Sequence, residues 1–304
     1  IKRAARSSAW RGSLDRPAHA NLRLRPIPPL HVRCYGDGPP LLLIHGLGSS
    51  GDDWAFQIPP LAQCHRLIVP DLSGCGRSPA HSDASISGWA QELLEWLERR
   101  GIERTAVVGY SMGGAVALEM ALQAPSRVER LATINSLPSY RVDHWRKWLE
   151  LNLQVGMVKL LGLPRTARMI AGRLFPHPHQ AAMRQRVIDV VGSSPVEPYL
   201  RSARALADWC AAERCAGFAT PMLMLAGEHD YTPLAEKRAW ARRLGAQIAV
   251  VAGSRHGTPF DAIAATNSAL LAFLAGQPVP ATLAVDTPQT TPKAPPVLPA
   301  EVLD

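Results

Sequence analysis

The sequence predicts an α/β fold: a mostly parallel sheet covered by helices on both faces, with a helical segment inserted between two of its strands. Three observations carry this expectation. Short apolar runs at residues 41–44, 66–69, 105–108, 131–134, 222–226 and 247–251 lack the alternation of a half-exposed sheet and read as strands covered on both sides. Helix-period segments separate most of them, which is the sequence form of parallel strands joined by crossover helices. Around Ser136 that alternation stops, and it resumes only at Met222. At 304 residues and 47% hydrophobic, the chain is long enough to bury a large core.

The elements follow in order. Residues 1–20 are basic, lack hydrophobic periodicity and read as a disordered N-terminal arm. Leu22 and Leu24 followed by residues 31–35 predict a hairpin around Pro26 and Pro29, and the GDGPP run at residues 36–40 ends it. The strand at 41–44 runs into HGLGSS and then a predicted helix over residues 52–63. The strand at 66–69 leads into the glycine turn DLSGCGRS. Trp89, Leu93, Leu94, Trp96 and Leu97 give helical spacing over residues 87–100, with Ser85 or Ser87 as N-cap and Gly101 as stop. Next comes the strand at 105–108, then GYSMGG and a small-residue helix ending before Pro125.

Residues 139–215 contain no clear strand and read as a helical cap, punctuated by prolines at 164, 176, 178, 195 and 198. The core is therefore expected over residues 21–138 and 216–276. Its second part alternates a strand at 222–226, a helix at 233–244, a strand at 247–251 and a helix at 259–274. Residues 277–304 are rich in Pro and Thr and predict a flexible tail.

Charge and cysteine content narrow the function. The net charge of +8 sits mainly in residues 1–33, at +7, and in residues 139–215, at +6. A nucleic-acid surface would interleave aromatics with these basic residues, and the arm offers only Trp10, so no nucleic-acid partner is expected. Five scattered cysteines without a C-x-x-C pair fit a reducing, cytoplasmic setting, and no His/Cys cluster has metal-ligand spacing. No apolar run approaches 18 residues, so no membrane span is expected. No signal-peptide core is visible either, although the chain starts at Ile1.

Residues 105–124 carry the chemistry. A buried strand, the turn Gly109-Tyr110-Ser111-Met112-Gly113 and a helix form the G-x-S-x-G context in which a serine hydroxyl stands exposed on a strained turn. A serine needs a base, and the base needs a group that fixes its tautomer. His256 follows the last of these strands and Asp230 the one before it, so both belong on the same sheet edge as Ser111. Glu228 and Asp261 compete for the acid role, whereas the position after the strand at 131–134 holds Asn135. The oxyanion donors expected for such a turn are the backbone N–H groups of Met112 and Leu47, with His45 bracing the second loop.

HGLGSS, DLSGCGRS, GYSMGG, GEHD and SRHG, in this order, resemble the α/β-hydrolase superfamily over residues 21–275. The resemblance implies an eight-stranded, mostly parallel sheet, a Ser-Asp-His triad, a helical cap after the sixth strand, and no metal or organic cofactor. A serine at 111 differs from the haloalkane dehalogenase and epoxide hydrolase branches, which place an aspartate there. Cys75 stands where relatives often carry histidine. The expected activity is hydrolysis of a carboxylic ester through an acyl-enzyme, on a small-molecule acyl substrate. Carbon-carbon bond hydrolases, lactonases, thioesterases, perhydrolases and acyltransferases are similar in plan. A non-enzymatic ligand-binding protein on the same scaffold is the alternative of another class. The basic cap with Trp145 and Trp148, which are candidate substrate-binding residues, suggests an apolar acyl chain on an anionic carrier such as a carrier protein or coenzyme A. Carrier-protein-linked methyl ester esterases look like this in outline.

Overall fold

The computed structural model describes residues 29–80, 84–286 and 298–303. The expected N-terminal arm, and the Leu22 to Leu24 half of the expected hairpin, lie outside them. Nine strands form one sheet: β1 (Val32–Tyr35), β2 (Pro40–Ile44), β3 (Arg66–Pro70), β4 (Thr105–Tyr110), β5 (Val128–Ile134), β6 (Met222–Gly227), β7 (Gln247–Ala252), β8 (Thr282–Ala284) and β9 (Glu301–Leu303). Their spatial order is β8-β7-β6-β5-β4-β2-β3-β1-β9. All neighbours run parallel from β8 to β3, and β1 pairs antiparallel with both β3 and β9.

The helices are α1 (Ile58–Leu61), α2 (Ile86–Arg99), α3 (Met112–Gln123), α4 (Trp145–Leu174), α5 (Ala181–Gly192), α6 (Val196–Asp208), α7 (Leu234–Leu244), α8 (Thr258–Asp261) and α9 (Ile263–Leu274). They cover two apolar layers, one on each face of the sheet. The first packs α2 and α3 on Leu42, Ile44, Ile68 and Val107, and the second packs α9 on Leu41, Leu43, Val108 and Leu225. Alternate residues of β2 thus point to opposite layers, the period-2 rule applied to a strand covered on both sides.

Several expectations differ from what is found. The helix expected over residues 52–63 is a 3-10 turn, Gly51–Trp54, followed by the four-residue α1, because Pro59 and Pro60 fit only a helix's first turn. The expected helix over 259–274 is split between α8 and α9, with Ala262 non-helical between them at φ −137°. The segment after Gly276, expected to be flexible throughout, contributes β8 and β9, and these two bring the sheet to nine strands rather than eight. The N-cap of α2 is Ser85, whose Oγ accepts from the Gly88 N–H at 2.9 Å.

Between β5 and β6 the chain leaves the sheet and forms α4, α5 and α6. This insert is joined to the core by a narrow neck, in which Ser139 bridges Cys210 and the Ala211 N–H donates to the Pro138 carbonyl at 2.8 Å. α4 is interrupted at Gly162, whose φ of 74° and ψ of 165° lie outside the helical region, two residues before Pro164. The neck is fastened to the core by Glu119 of α3, 2% exposed, which accepts from Trp209 Nε1 at 2.8 Å and from both terminal nitrogens of Arg214 at 2.8 and 2.6 Å.

Burial opposes ionisation of Glu119, yet hydrogen bonds from Arg214, Gln123 and Trp209 outweigh it and hold the carboxyl at about 2. A depressed carboxyl contributes stability that is complete above its unfolded value and is lost as pH falls toward 2. Glu119→Gln is therefore expected to lower unfolding free energy at pH 7 by about 1–3 kcal/mol, toward the lower end because Arg214 is half exposed. Urea titrations of both proteins should converge as pH approaches 2; a constant gap would show that the charge contributes nothing.

Candidate active site

The turn between β4 and α3 holds Ser111 at φ 54° and ψ −117°, a conformation rare outside glycine. Two glycines make the turn possible. A Cβ on Gly109 would stand 2.2 Å from the Gly113 carbonyl oxygen, and one on Gly113 would stand 2.1 Å from that of Ile44. The turn places Ser111 at the N-terminus of α3, where unpaired N–H groups and the helix dipole favour negative charge.

Loops from the ends of β6 and β7 meet this serine. Ser111 Oγ lies 2.9 Å from His256 Nε2, and His256 Nδ1 lies 2.7 Å from Asp230 Oδ1. The Asp230 carboxylate makes Nδ1 the protonated nitrogen, which leaves Nε2 free to accept the serine proton. All three side chains are buried or nearly so: Ser111 and His256 are each 6% exposed, and the Asp230 side chain is fully covered. The competing acids stand elsewhere. Glu228 accepts from the Gly253 N–H at 2.8 Å, and Asp261 accepts from Ser254 Oγ at 2.7 Å. Burial raises Asp261 to about 7, so it has the opposite electrostatic setting from Asp230.

Three neighbours of this line were not singled out as contributors by the sequence. Lys237 of α7, 1% exposed, pairs through Nζ with Asp230 Oδ2, so the carboxylate is shared between a histidine and a buried ammonium. Burial opposes the Asp230 charge, but His256 and Lys237 together hold the carboxyl at about 2. Burial likewise pushes the Lys237 ammonium down, against the attraction of Asp230. A signal existed: Leu234, Lys237, Ala241 and Leu244 follow i, i+3, i+7, i+10 spacing, which puts a lysine on the core-facing stripe.

Asn135, at φ 49°, is the second. Its Nδ2 donates to the carbonyl of His256 at 2.8 Å and to Thr258 Oγ1 at 2.8 Å, while its Oδ1 accepts from the Gly227 N–H at 2.8 Å. One side chain thereby ties the ends of β5 and β6 to the histidine loop. Tyr231 is the third. Its ring centroid lies 4.1 Å from that of His256 and its hydroxyl 2.8 Å from Nε2, on the solvent side of the serine-histidine pair.

The second glycine loop is braced from below. His45 donates through Nδ1 to the Gly46 carbonyl at 2.8 Å and accepts the Leu72 N–H at Nε2, 3.0 Å away. Asp53 accepts from the Gly46 N–H at 3.0 Å and from Ser49 Oγ at 2.5 Å. Leu47 is held between the core and the cap cluster of Val158, Tyr199 and Leu200, and Met112 is the first residue of α3. The Cys75 thiol is buried and pushed up to about 12, an unreactive setting. Trp145 and Trp148 do not join the site: they are 68% and 58% exposed on the outside of α4. Such an arrangement can deprotonate a serine on a carbonyl and return the proton to a leaving group.

Comparison with known proteins agrees with this fold. A family model described as alpha/beta hydrolase fold matches residues 39–171. The chain is 36% identical over 162 residues to the magnesium-chelatase 30 kDa subunit of Rhodobacter capsulatus, covering 52% of each; it thus spans about half the length of that relative. It is 30% identical over 244 residues to the uncharacterized protein Rv2715 of Mycobacterium tuberculosis, covering 74% of this chain and 72% of that one. Among solved structures, an esterase from Thermogutta terrifontis superposes with a TM-score of 0.74 at 25% identity, over 81% of this chain and 93% of that one. With a serine elbow on a nine-stranded, mostly parallel sheet and relatives of this kind, the chain belongs to the α/β-hydrolase family.

Proposed function

We propose that the protein is a serine hydrolase that cleaves carboxylic esters through an acyl-enzyme, with Ser111 as nucleophile, His256 as general base and acid, and Asp230 as the group that orients it. The observation that carries this reading is the continuous hydrogen-bonded line from Ser111 Oγ through His256 to Asp230. Ser111 Oγ attacks the substrate carbonyl carbon while its proton passes to Nε2. The backbone N–H groups of Met112 and Leu47 receive the charge on the carbonyl oxygen. His256 then protonates the departing alkoxide, and in a second round it takes a proton from water as that water attacks the acyl carbon, freeing the acid and Ser111.

Five free cysteines support a reducing, cytoplasmic setting. A fluorophosphonate probe is expected to label this protein once, on Ser111, as read by peptide mass mapping. Labelling elsewhere with Ser111 unmodified would overturn the nucleophile. Turnover of a short p-nitrophenyl ester separates an enzyme from a protein that only binds acyl ligands, which would release no product.

A further inference from the structure

The outer face of α4 has no partner among the described residues. Trp145, Trp148, Leu149, Leu153 and Leu160 are 68, 58, 42, 57 and 83% exposed. At 100° per residue they fall within about 140° of one another, an arc that also holds exposed Asn152, Gly156 and Lys159, and they run about 22 Å along the helix from Trp145 to Leu160. Contiguous apolar surface of this kind is uncommon on a protein that meets only water, and it marks a contact site. The inward side of the same helix is satisfied: Val158 is buried, and Val155, next to Trp148 around the helix, is partly buried, in the cluster that includes Leu47, Tyr199 and Leu200. The outer stripe is therefore surplus to the packing of the described residues.

The charge around the stripe identifies what it meets. Residues 141–173 carry seven basic side chains against two acidic ones. Exposed Arg146 borders the stripe, its guanidinium 5.4 Å from the Trp145 ring centroid, exposed Lys159 lies within the stripe's arc, and exposed Arg165 and Arg168 continue beyond the Gly162 break. One of the two acids, Asp143, is already paired with Lys147 at 3.1 Å. A basic helix with tryptophans at one end of a leucine stripe has the composition of a helix that lies in the plane of an anionic membrane interface. No helix among the described residues is long and apolar enough to cross a membrane, so the contact is with a surface and not a span.

We propose that α4 docks this protein on anionic lipid bilayers, with Trp145, Trp148, Leu149, Leu153 and Leu160 buried in the headgroup region and the flanking Arg and Lys side chains on lipid phosphates. Leu47 then lies about one helix diameter, ~10 Å, beneath the lipid surface. The proposal concerns binding and stands whether or not the chemistry proposed above is correct.

Co-sedimentation of the full chain with vesicles tests it. Binding to phosphatidylcholine vesicles containing about one-third phosphatidylglycerol is expected to exceed binding to pure phosphatidylcholine at least tenfold and to weaken as salt rises. Tryptophan emission should shift to the blue on the anionic vesicles. The double variant Leu153→Ser/Leu160→Ser should lose at least tenfold in binding while its melting temperature stays that of the parent. Arg165→Gln/Arg168→Gln, which leaves every apolar side chain in place, should weaken only the anionic component. Absence of vesicle binding, or binding that neither variant alters, would overturn the proposal. So would a dimer in sedimentation equilibrium that Leu153→Ser/Leu160→Ser dissociates, or capture by this face of an acidic acyl-carrier protein in preference to vesicles.

Discussion

Ser111→Ala should lower kcat for p-nitrophenyl acetate by on the order of 10⁵–10⁶-fold, the largest effect of any single substitution in this chain. The reason is covalent: without Oγ no acyl-enzyme forms, and His256 is left with only water to deprotonate. A residual rate of roughly 10³–10⁴ over the uncatalysed reaction should persist, because the N–H groups at Met112 and Leu47 still meet a developing oxyanion. Alanine keeps a Cβ at φ 54°, so the backbone strain remains and the melting temperature should change little. Glycine at the same position would relieve about 1–3 kcal/mol of that strain, and Ser111→Gly should melt higher while being equally inactive. Activity above a tenth of the parent in either variant would remove Ser111 from the mechanism.

Asp230→Asn should cost about 10⁴-fold in kcat. An amide in place of the carboxylate presents an N–H to His256 Nδ1, turns the imidazole to the other tautomer, and places a proton where Nε2 should accept one. Here the loss has a second component. Lys237 is 1% exposed and its ammonium would keep only neutral acceptors, the new amide oxygen and the Asn135 side-chain oxygen 3.4 Å away. An unpaired buried charge is destabilising by roughly 3–5 kcal/mol, so Asp230→Asn should also melt well below Ser111→Ala. The double change Asp230→Asn/Lys237→Met should recover much of that stability and none of the activity. Thermal melts beside stopped kinetics distinguish the two components; a double variant no more stable than Asp230→Asn would show that the Lys237–Asp230 pair is not what holds α7 in place.

How far the sequence reached depends on the kind of signal each element carries. The central strands were legible because a strand covered on both faces must be apolar at every position, as residues 41–44 and 222–226 are. The hydrogen-bonded line of Ser111, His256 and Asp230 was legible because parallel strands deliver their following loops to one edge, whatever the distance in sequence. Lys237 was not singled out, since a lysine on a helix reads as solvated unless its place on the apolar stripe is counted. Asn135 was noticed only as a poor acid, whereas its role is to brace loops, and no local pattern encodes a side chain that donates to one loop and accepts from another. β8 and β9 are three residues each within Pro/Thr-rich chain, too short for any periodicity. Trp145 and Trp148 were expected near substrate because they lie with leucines in the basic segment 139–215; their exposure is a tertiary outcome that residue type does not encode.

The neck between Ser139 and Cys210 has a consequence for how such a protein diversifies. The insert enters and leaves the sheet through two adjacent chain segments, so its three helices can be lengthened, replaced or exchanged without moving β5 or β6. Selection can therefore remodel the insert while the loops that hold Ser111, Asp230 and His256 stay under a separate constraint. A graft made at that bridge leaves Arg214 in the host with Glu119, and the Trp209 indole on Glu119 is the contact that a foreign insert would have to reproduce.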